Sequence, residues 1–315
     1  MNSYNFVILT LSGAMETPLS SSKERQPNPN PSSPCPSPYP SPSRLWRPAA
    51  QRNLRNQWSK LLSSKNRWLS AASQGRSHAT SLVNAHLSRR YMPDMDLGAL
   101  RDMPGIRQKA SEKLSQKQEV CRRGLLSSYE DMVSSVSHMV KASNLMRCFL
   151  KDSAVSHLVQ FCDHPEDIND PGDGGGFPVF SFLSVPNFEK LAQELVEMFM
   201  LELNLKRLLV VELLSITCKE SGGRSNSSSW SYELYPGEFD DLRTNSMLSE
   251  ESCKPHPPRI KDWPSGDPVT WQANQLPSRE VLQVYLTTWL ADVNIDINRI
   301  DDIFGMVEEE MQVKL

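Results

Sequence analysis

Few residues in this chain stand at the spacings that chemistry requires. A catalytic or structural zinc needs three or four imidazole, thiolate or carboxylate ligands at turn or helix spacing. The six histidines, His78, His86, His138, His157, His164 and His256, form no His-Glu-x-x-His or other paired pattern. Cys162 and His164 are close, but a lone Cys-x-His pair leaves the remaining ligand positions unfilled. Gly174-Gly175-Gly176 would cradle a phosphate only between a strand and a helix opened by Lys-Ser or Lys-Thr, and neither flank is present. Nucleophile-elbow, Walker and kinase motifs are also missing. Glu194, Glu197 and Glu202 fall on a helical stretch, where a solvated face is the ordinary reason for carboxylates. The reading is a protein-binding module, not an enzyme, with no catalytic, cofactor-binding or metal residue and no small-molecule substrate. An enzyme with an unrecognised site is the remote alternative.

One modification pattern stands out. Ser41-Pro42-Ser43-Arg44 matches the Ser-Pro-x-Arg sequence that proline-directed kinases favour, and Ser37 and Ser33 also precede proline. Phosphorylation there would add roughly −1.5 to −2 charges beside a basic segment that runs from Arg44 to Arg67.

The elements that carry these residues follow from composition and periodicity. The chain has 315 residues with a net charge of −3 and 38% hydrophobic residues. With a mean hydropathy of −0.46, that is polar for a globular protein. The negative balance argues against a bulk nucleic-acid binder, although the basic half from Arg44 to Arg123 could still touch an acidic partner or phosphates. Six cysteines without a Cys-x-x-Cys pair point to reduced thiols in cytosol or nucleus. No apolar run is long enough to span a membrane. Translation starting at Met15 would remove the short apolar stretch near residue 6.

Residues 1–44 read as a disordered Pro/Ser-rich tail. A helical hairpin is expected over 45–162. Its first helix carries Leu54, Trp58, Leu61, Trp68, Leu82 and Val83 at helical spacing. Gly75 inside it costs about 1 kcal/mol relative to alanine and marks a potential break. Its second helix runs from Ile106 to Leu150 along a coiled-coil-like seam. Residues 163–178 read as an acidic, Gly-rich linker. A long helix over 179–218 buries Phe188, Leu195, Met198, Leu205 and Leu213, with Glu202 and Lys206 at i,i+4 in the favourable order. Residues 219–278, rich in Ser, Gly and Pro, read as a disordered insertion despite Trp230, Tyr235, Trp263 and Trp271. Residues 279–315 supply C-terminal helices, with Ser278 as cap. The expected fold is all-α: an elongated helical bundle or coiled-coil-like hairpin with a disordered tail and insertion.

Two blocks carry a family resemblance. Pro178-Val179-Phe180, Phe188, Leu195-Val196-Glu197-Met198-Phe199 and Glu202-Leu203-Asn204-Leu205-Lys206-Arg207 resemble the signature of the cyclin-dependent kinase 2-interacting protein family. Tyr285-Leu286-Thr287-Thr288-Trp289-Leu290 is similar to its Tyr-Leu-x-x-Trp-Leu element, and Gln57-Trp58 to Leu82 match more faintly. The signature positions are therefore Phe188, Leu195, Glu197, Met198, Glu202, Leu205, Lys206, Arg207, Tyr285, Leu286, Trp289 and Leu290, serving as core or partner contacts. The resemblance implies a helical, non-catalytic nuclear adaptor without cofactors. Its implied partners are cyclin-dependent kinase and replication-initiation or checkpoint proteins. The alternative is a structural subunit of an AAA-ATPase complex that matures pre-60S ribosomal particles. Direct nucleic-acid or membrane contact is not expected. The Pro/Ser tail and the 219–278 insertion depart from the family pattern.

Overall fold

The computed structural model describes residues 42–151, 160–166, 169–218, 230–249, 253–263 and 277–315; Ser33, Ser37 and Ser41 lie outside them. Among the described residues the chain is predominantly α-helical, with six helices and one two-stranded ribbon. None of these helices is long and apolar enough to cross a membrane.

Helix α1 (Pro42–Tyr91) and helix α2 (Ile106–Asn144) form the hairpin that the apolar spacing predicts. They run antiparallel. Arg89 donates to Gln118 near the tip, while Asn53 near the base reaches the carbonyls of Leu145 and Arg147. Those last bonds explain why α2 stops at Asn144 and does not continue to Leu150. The carbonyls beyond the helix end are taken by an α1 side chain, so the chain can turn away without orphaned acceptors. It then forms a short antiparallel ribbon, β1 (Phe149–Lys151) with β2 (Gln160–Cys162), which the sequence pattern did not reveal.

Gly75 does not break α1. A Cβ there would stand 2.6 Å from the indole of Trp289, so the glycine is the point where a tryptophan from the C-terminal region crosses the helix. The propensity cost is accepted because no other residue allows that approach.

The 163–178 stretch is an ordered strap over its described part rather than a linker. Asp170 accepts the backbone N–H groups of Leu150 and Gly172, and Asp173 accepts that of Gly175. Gly174 has φ +66° and lies against the Trp46 indole, where a Cβ would meet ring carbons at 2.4 Å. Two separate constraints therefore demand glycine.

Helix α3 (Val185–Cys218) is the spine of the bundle. Phe188, Leu195, Met198, Phe199, Leu203, Leu213 and Ile216 are at most 1% exposed. Each such side chain contributes roughly 1.5–3 kcal/mol of burial. Trp68 meets Phe199 edge-on at 5.4 Å, and Trp58 meets Phe304 at 5.8 Å, which ties α1 to α3 and to the C-terminal helices.

The expectation of disorder over 219–278 is narrowed by the structure. Residues 230–249 are packed on the bundle and contain helix α4 (Glu238–Thr244), with Tyr235 and Leu242 buried. Trp271 lies outside the described residues. Helix α5 (Arg279–Ala291) begins at Ser278, whose hydroxyl accepts the Val281 N–H as its sequence position predicts. Helix α6 (Ile297–Met311), the second of the expected C-terminal helices, is capped by Asp296 in the same way.

Candidate functional site

Three of the signature residues, Glu202, Lys206 and Arg207, are charged side chains in the middle of α3 with no exposed surface. Burying a charge is costly unless it is paired and hydrogen-bonded. Successive helix positions point about 100° apart, so Lys206 and Arg207 address different neighbours.

Lys206 faces the junction of α5 and α6. Its ammonium lies 2.9 Å from Glu202 and 2.8 Å from Asp292, and it donates to the carbonyl of Trp289. The Trp289 ring lies 5.1 Å from the same nitrogen, a cation–π contact. Glu202 also accepts the backbone N–H of Asn294 at 2.9 Å. Trp289 completes the joint by donating from its indole to the Ala72 carbonyl of α1 at 3.0 Å. Asp292 has φ +45°, the left-handed cap that turns its carboxylate back toward Lys206.

Arg207 faces the 230–249 segment. Its guanidinium holds Glu238 in a two-pronged pair at 2.7 and 3.1 Å and donates to the carbonyls of Trp230 and Tyr232, both at 2.9 Å. The Trp230 ring covers it at 4.7 Å. Glu238 accepts further bonds from the Tyr129 hydroxyl and the Leu234 N–H, each at 2.7 Å. Burial, reinforced by the Glu238 carboxylate, pushes the Tyr129 phenol well above its ordinary range. Burial and the hydrogen bond to Asp241 raise Tyr235 likewise.

The remaining signature positions divide cleanly. Phe188, Leu195, Met198 and Trp289 are core; Leu205, Tyr285 and Leu286 are half-buried; Glu197 and Leu290 are exposed. A solvated-face reading of Glu194 and Glu202 is corrected. Glu202 is buried against Lys206, and Glu194 forms a two-pronged pair with Arg299 of α6 at 2.6 and 2.8 Å. That pairing holds the Glu194 carboxyl below the usual range.

Several residues that build these clusters carried no sequence signal: Glu238, Asp292 and Asn294. The one available hint was aromatic: Trp230 and Tyr235 are out of place in a stretch otherwise polar enough to stay solvated. Glu310 was also missed. Its carboxylate, 7% exposed, accepts the consecutive backbone N–H groups of Ser181, Phe182 and Leu183 at 2.6–2.8 Å. The loop is held from the other side by Arg47, which donates to the Val179 and Phe180 carbonyls.

Neither ligand candidate from the sequence gathers a site. The Cys162 thiol donates to the His164 carbonyl at 3.0 Å, and Asp173 caps Gly175 within the glycine run. Among the described residues no three His, Cys, Asp or Glu side chains are grouped to hold a metal. Cys148 is buried, which pushes its thiol up to about 11. The two clusters thus act as joints: one fastens the C-terminal helices to α3, the other the 230–249 segment.

Several large apolar residues on α5, in the turn after it and at the start of α6 are exposed. Val284 is 60% exposed, Leu290 51% and Ile297 64%, with Val281 and Val293 beside them. Helix α5 is apolar on its inner side, through Leu282 and Trp289, while its solvent side sets Val284 among the exposed Glu280, Gln283 and Thr287. No protein-family model matches the chain, and no curated protein matches it in sequence.

Proposed function

We propose that this protein is a non-enzymatic nuclear adaptor that links cyclin-dependent kinase with DNA-replication and checkpoint proteins. The observation that carries the binding reading is the set of large apolar side chains left exposed on α5 and at its exit. Large apolar side chains left in solvent on and just after a helix anchored by a buried ion pair offer a contact for another protein. The resemblance of the Lys206–Arg207 and Trp289–Leu290 blocks to the cyclin-dependent kinase 2-interacting protein family supplies the class of partner. Leu290, a signature residue, is among the exposed ones.

Tagged purification from dividing cells, followed by mass spectrometry, tests this reading with the wild type and a Val284→Asp/Leu290→Asp variant. Both side chains are more than half exposed, so the variant should fold normally. The expected result is recovery of cyclin-dependent kinase or origin-binding proteins by the wild type and their loss from the variant. Recovery of AAA ATPases with pre-60S particles would replace it with the ribosome-assembly reading. Partners retained equally by both proteins would remove α5 as the docking face.

A further inference from the structure

Helix α1 is fifty residues long and carries ten Lys and Arg side chains without one Asp or Glu. Some are engaged inside the fold. Arg47 holds the 179–180 carbonyls, and Lys65 pairs with Asp301 at 3.1 Å. Others are not. Arg52, Lys60 and Arg67 are exposed, and none has a carboxylate within ion-pair distance among the described residues. At 100° per residue these three fall on the outer half of α1, opposite the Leu54–Leu61–Trp68 side that enters the core. Arg55 flanks them, lying 5.0 Å from the Phe180 ring. Between them the outward positions are Asn56, Ser59 and Ser63, all hydrogen-bonding and all neutral. Beside Arg52 and Lys60 opens a cleft of about 440 Å³, whose one acidic wall residue is Asp163.

We infer that this outer face of α1 is a docking surface for an acidic helix of a partner protein. The inference rests on the binding-module reading above but concerns a different face. Two comparisons of magnitude decide the occupant. First, the three cations span about 22 Å of helix, and a nucleic-acid duplex laid along that length would present roughly 13 phosphates. Stable phosphate binders neutralise about 6–10 charges, and this face offers four including Arg55. The whole chain is also negative, with eight carboxylates against three basic residues over 279–315, and that field opposes a polyanion. Second, the spacing suits a helix. Arg52, Lys60 and Arg67 are separated by eight and seven positions, about two turns each. A partner helix with glutamate or aspartate repeated every two turns places one carboxylate against each cation. The intervening Ser and Asn side chains leave room for a helix to lie close, and no bulky apolar residue interrupts the face.

The test uses the full-length protein and a fluorescein-labelled, alanine-rich peptide helix carrying glutamate every two turns, read by fluorescence anisotropy. Three exposed ion pairs contribute about 0.2–1 kcal/mol each, so Arg52→Glu/Lys60→Glu/Arg67→Glu should weaken binding about 3- to 150-fold. Raising salt from about 0.05 to 0.3 M should weaken the wild-type complex and leave the residual binding of the variant almost unchanged. Circular dichroism of the variant should match the wild type, because the three side chains make no internal ion pair. Absence of peptide binding by the wild type, or equal binding by the variant, would overturn the inference. A short DNA duplex that binds more tightly than the peptide would overturn it too and give the face to nucleic acid. These measurements use purified components, so loss of the α5 reading in the cell experiment would leave their outcome untouched.

Discussion

Lys206 and Arg207 are consecutive, both without exposed surface, and yet they are buried on different terms. Arg207 makes four hydrogen bonds from a planar fork, two of them to a single carboxylate that is itself fully buried. Lys206 is a point charge with three acceptors, and one of them, Asp292, keeps 31% of its side chain in contact with solvent. The Arg207 cluster is therefore sealed and the Lys206 cluster has a wet edge. Breaking a sealed pair strands a charge that water cannot reach, whereas a wet edge lets the survivor rehydrate. The same helix turn thus holds one segment rigidly and another with a softer joint.

The sharpest way to break the comparison is Arg207→Met, which leaves Glu238 buried and unpaired. A loss of about 4 kcal/mol in urea unfolding is expected, with early proteolysis inside 230–249. Arg207→Lys should recover only part of it, since an ammonium cannot reproduce the two-pronged pair. Lys206→Met should cost less, about 3 kcal/mol, because Asp292 turns to solvent; adding Glu202→Gln should return part of that loss. Equal costs for Arg207→Met and Lys206→Met would erase the distinction. Gly75→Val, which drives a side chain into Trp289, should cost about 2 kcal/mol and shift tryptophan emission without touching either charge.

The two clusters also separate by pH. Tyr129 and Tyr235, both at the Arg207 side, have folded pKa values above the unfolded value of about 10. Above that pH the unfolded chain releases protons that the native chain keeps, so stability falls as pH rises past about 10. The part of the tyrosinate absorbance that a Tyr129→Phe/Tyr235→Phe variant lacks should therefore appear with loss of helical signal, not before it. The smallest effect is expected at the part-exposed Glu194–Arg299 pair. Glu194→Gln should cost at most about 1 kcal/mol. Because the Glu194 pKa is depressed, that contribution is present above about pH 4 and is lost as pH falls through the folded value.

The apolar parts of this fold were legible because helical burial repeats on a fixed period. Trp58, Leu125, Phe188 and Phe304 sit where spacing places them, and the helix cap at Ser278 declares itself in one residue. The charged interior was not legible, for a physical reason. Periodicity marks polar residues as solvent-facing, and only the partner decides otherwise. Glu202 and Lys206 read as a surface pair, while Glu238 and Asp292 lie 31 and 86 positions from the side chains that hold them. The 230–249 segment was hidden by composition: few apolar residues enter the bundle, and Arg207 does much of the anchoring.

The bond from the Trp289 indole to the Ala72 carbonyl joins residues 217 positions apart. At a synthesis rate of about 5–20 residues per second, that gap corresponds to roughly 10 to 45 s on the ribosome. During this interval the α1–α2 hairpin has already been made, and the notch at Gly75, beside Ser128, stands open. The window closes only when the tryptophan emerges.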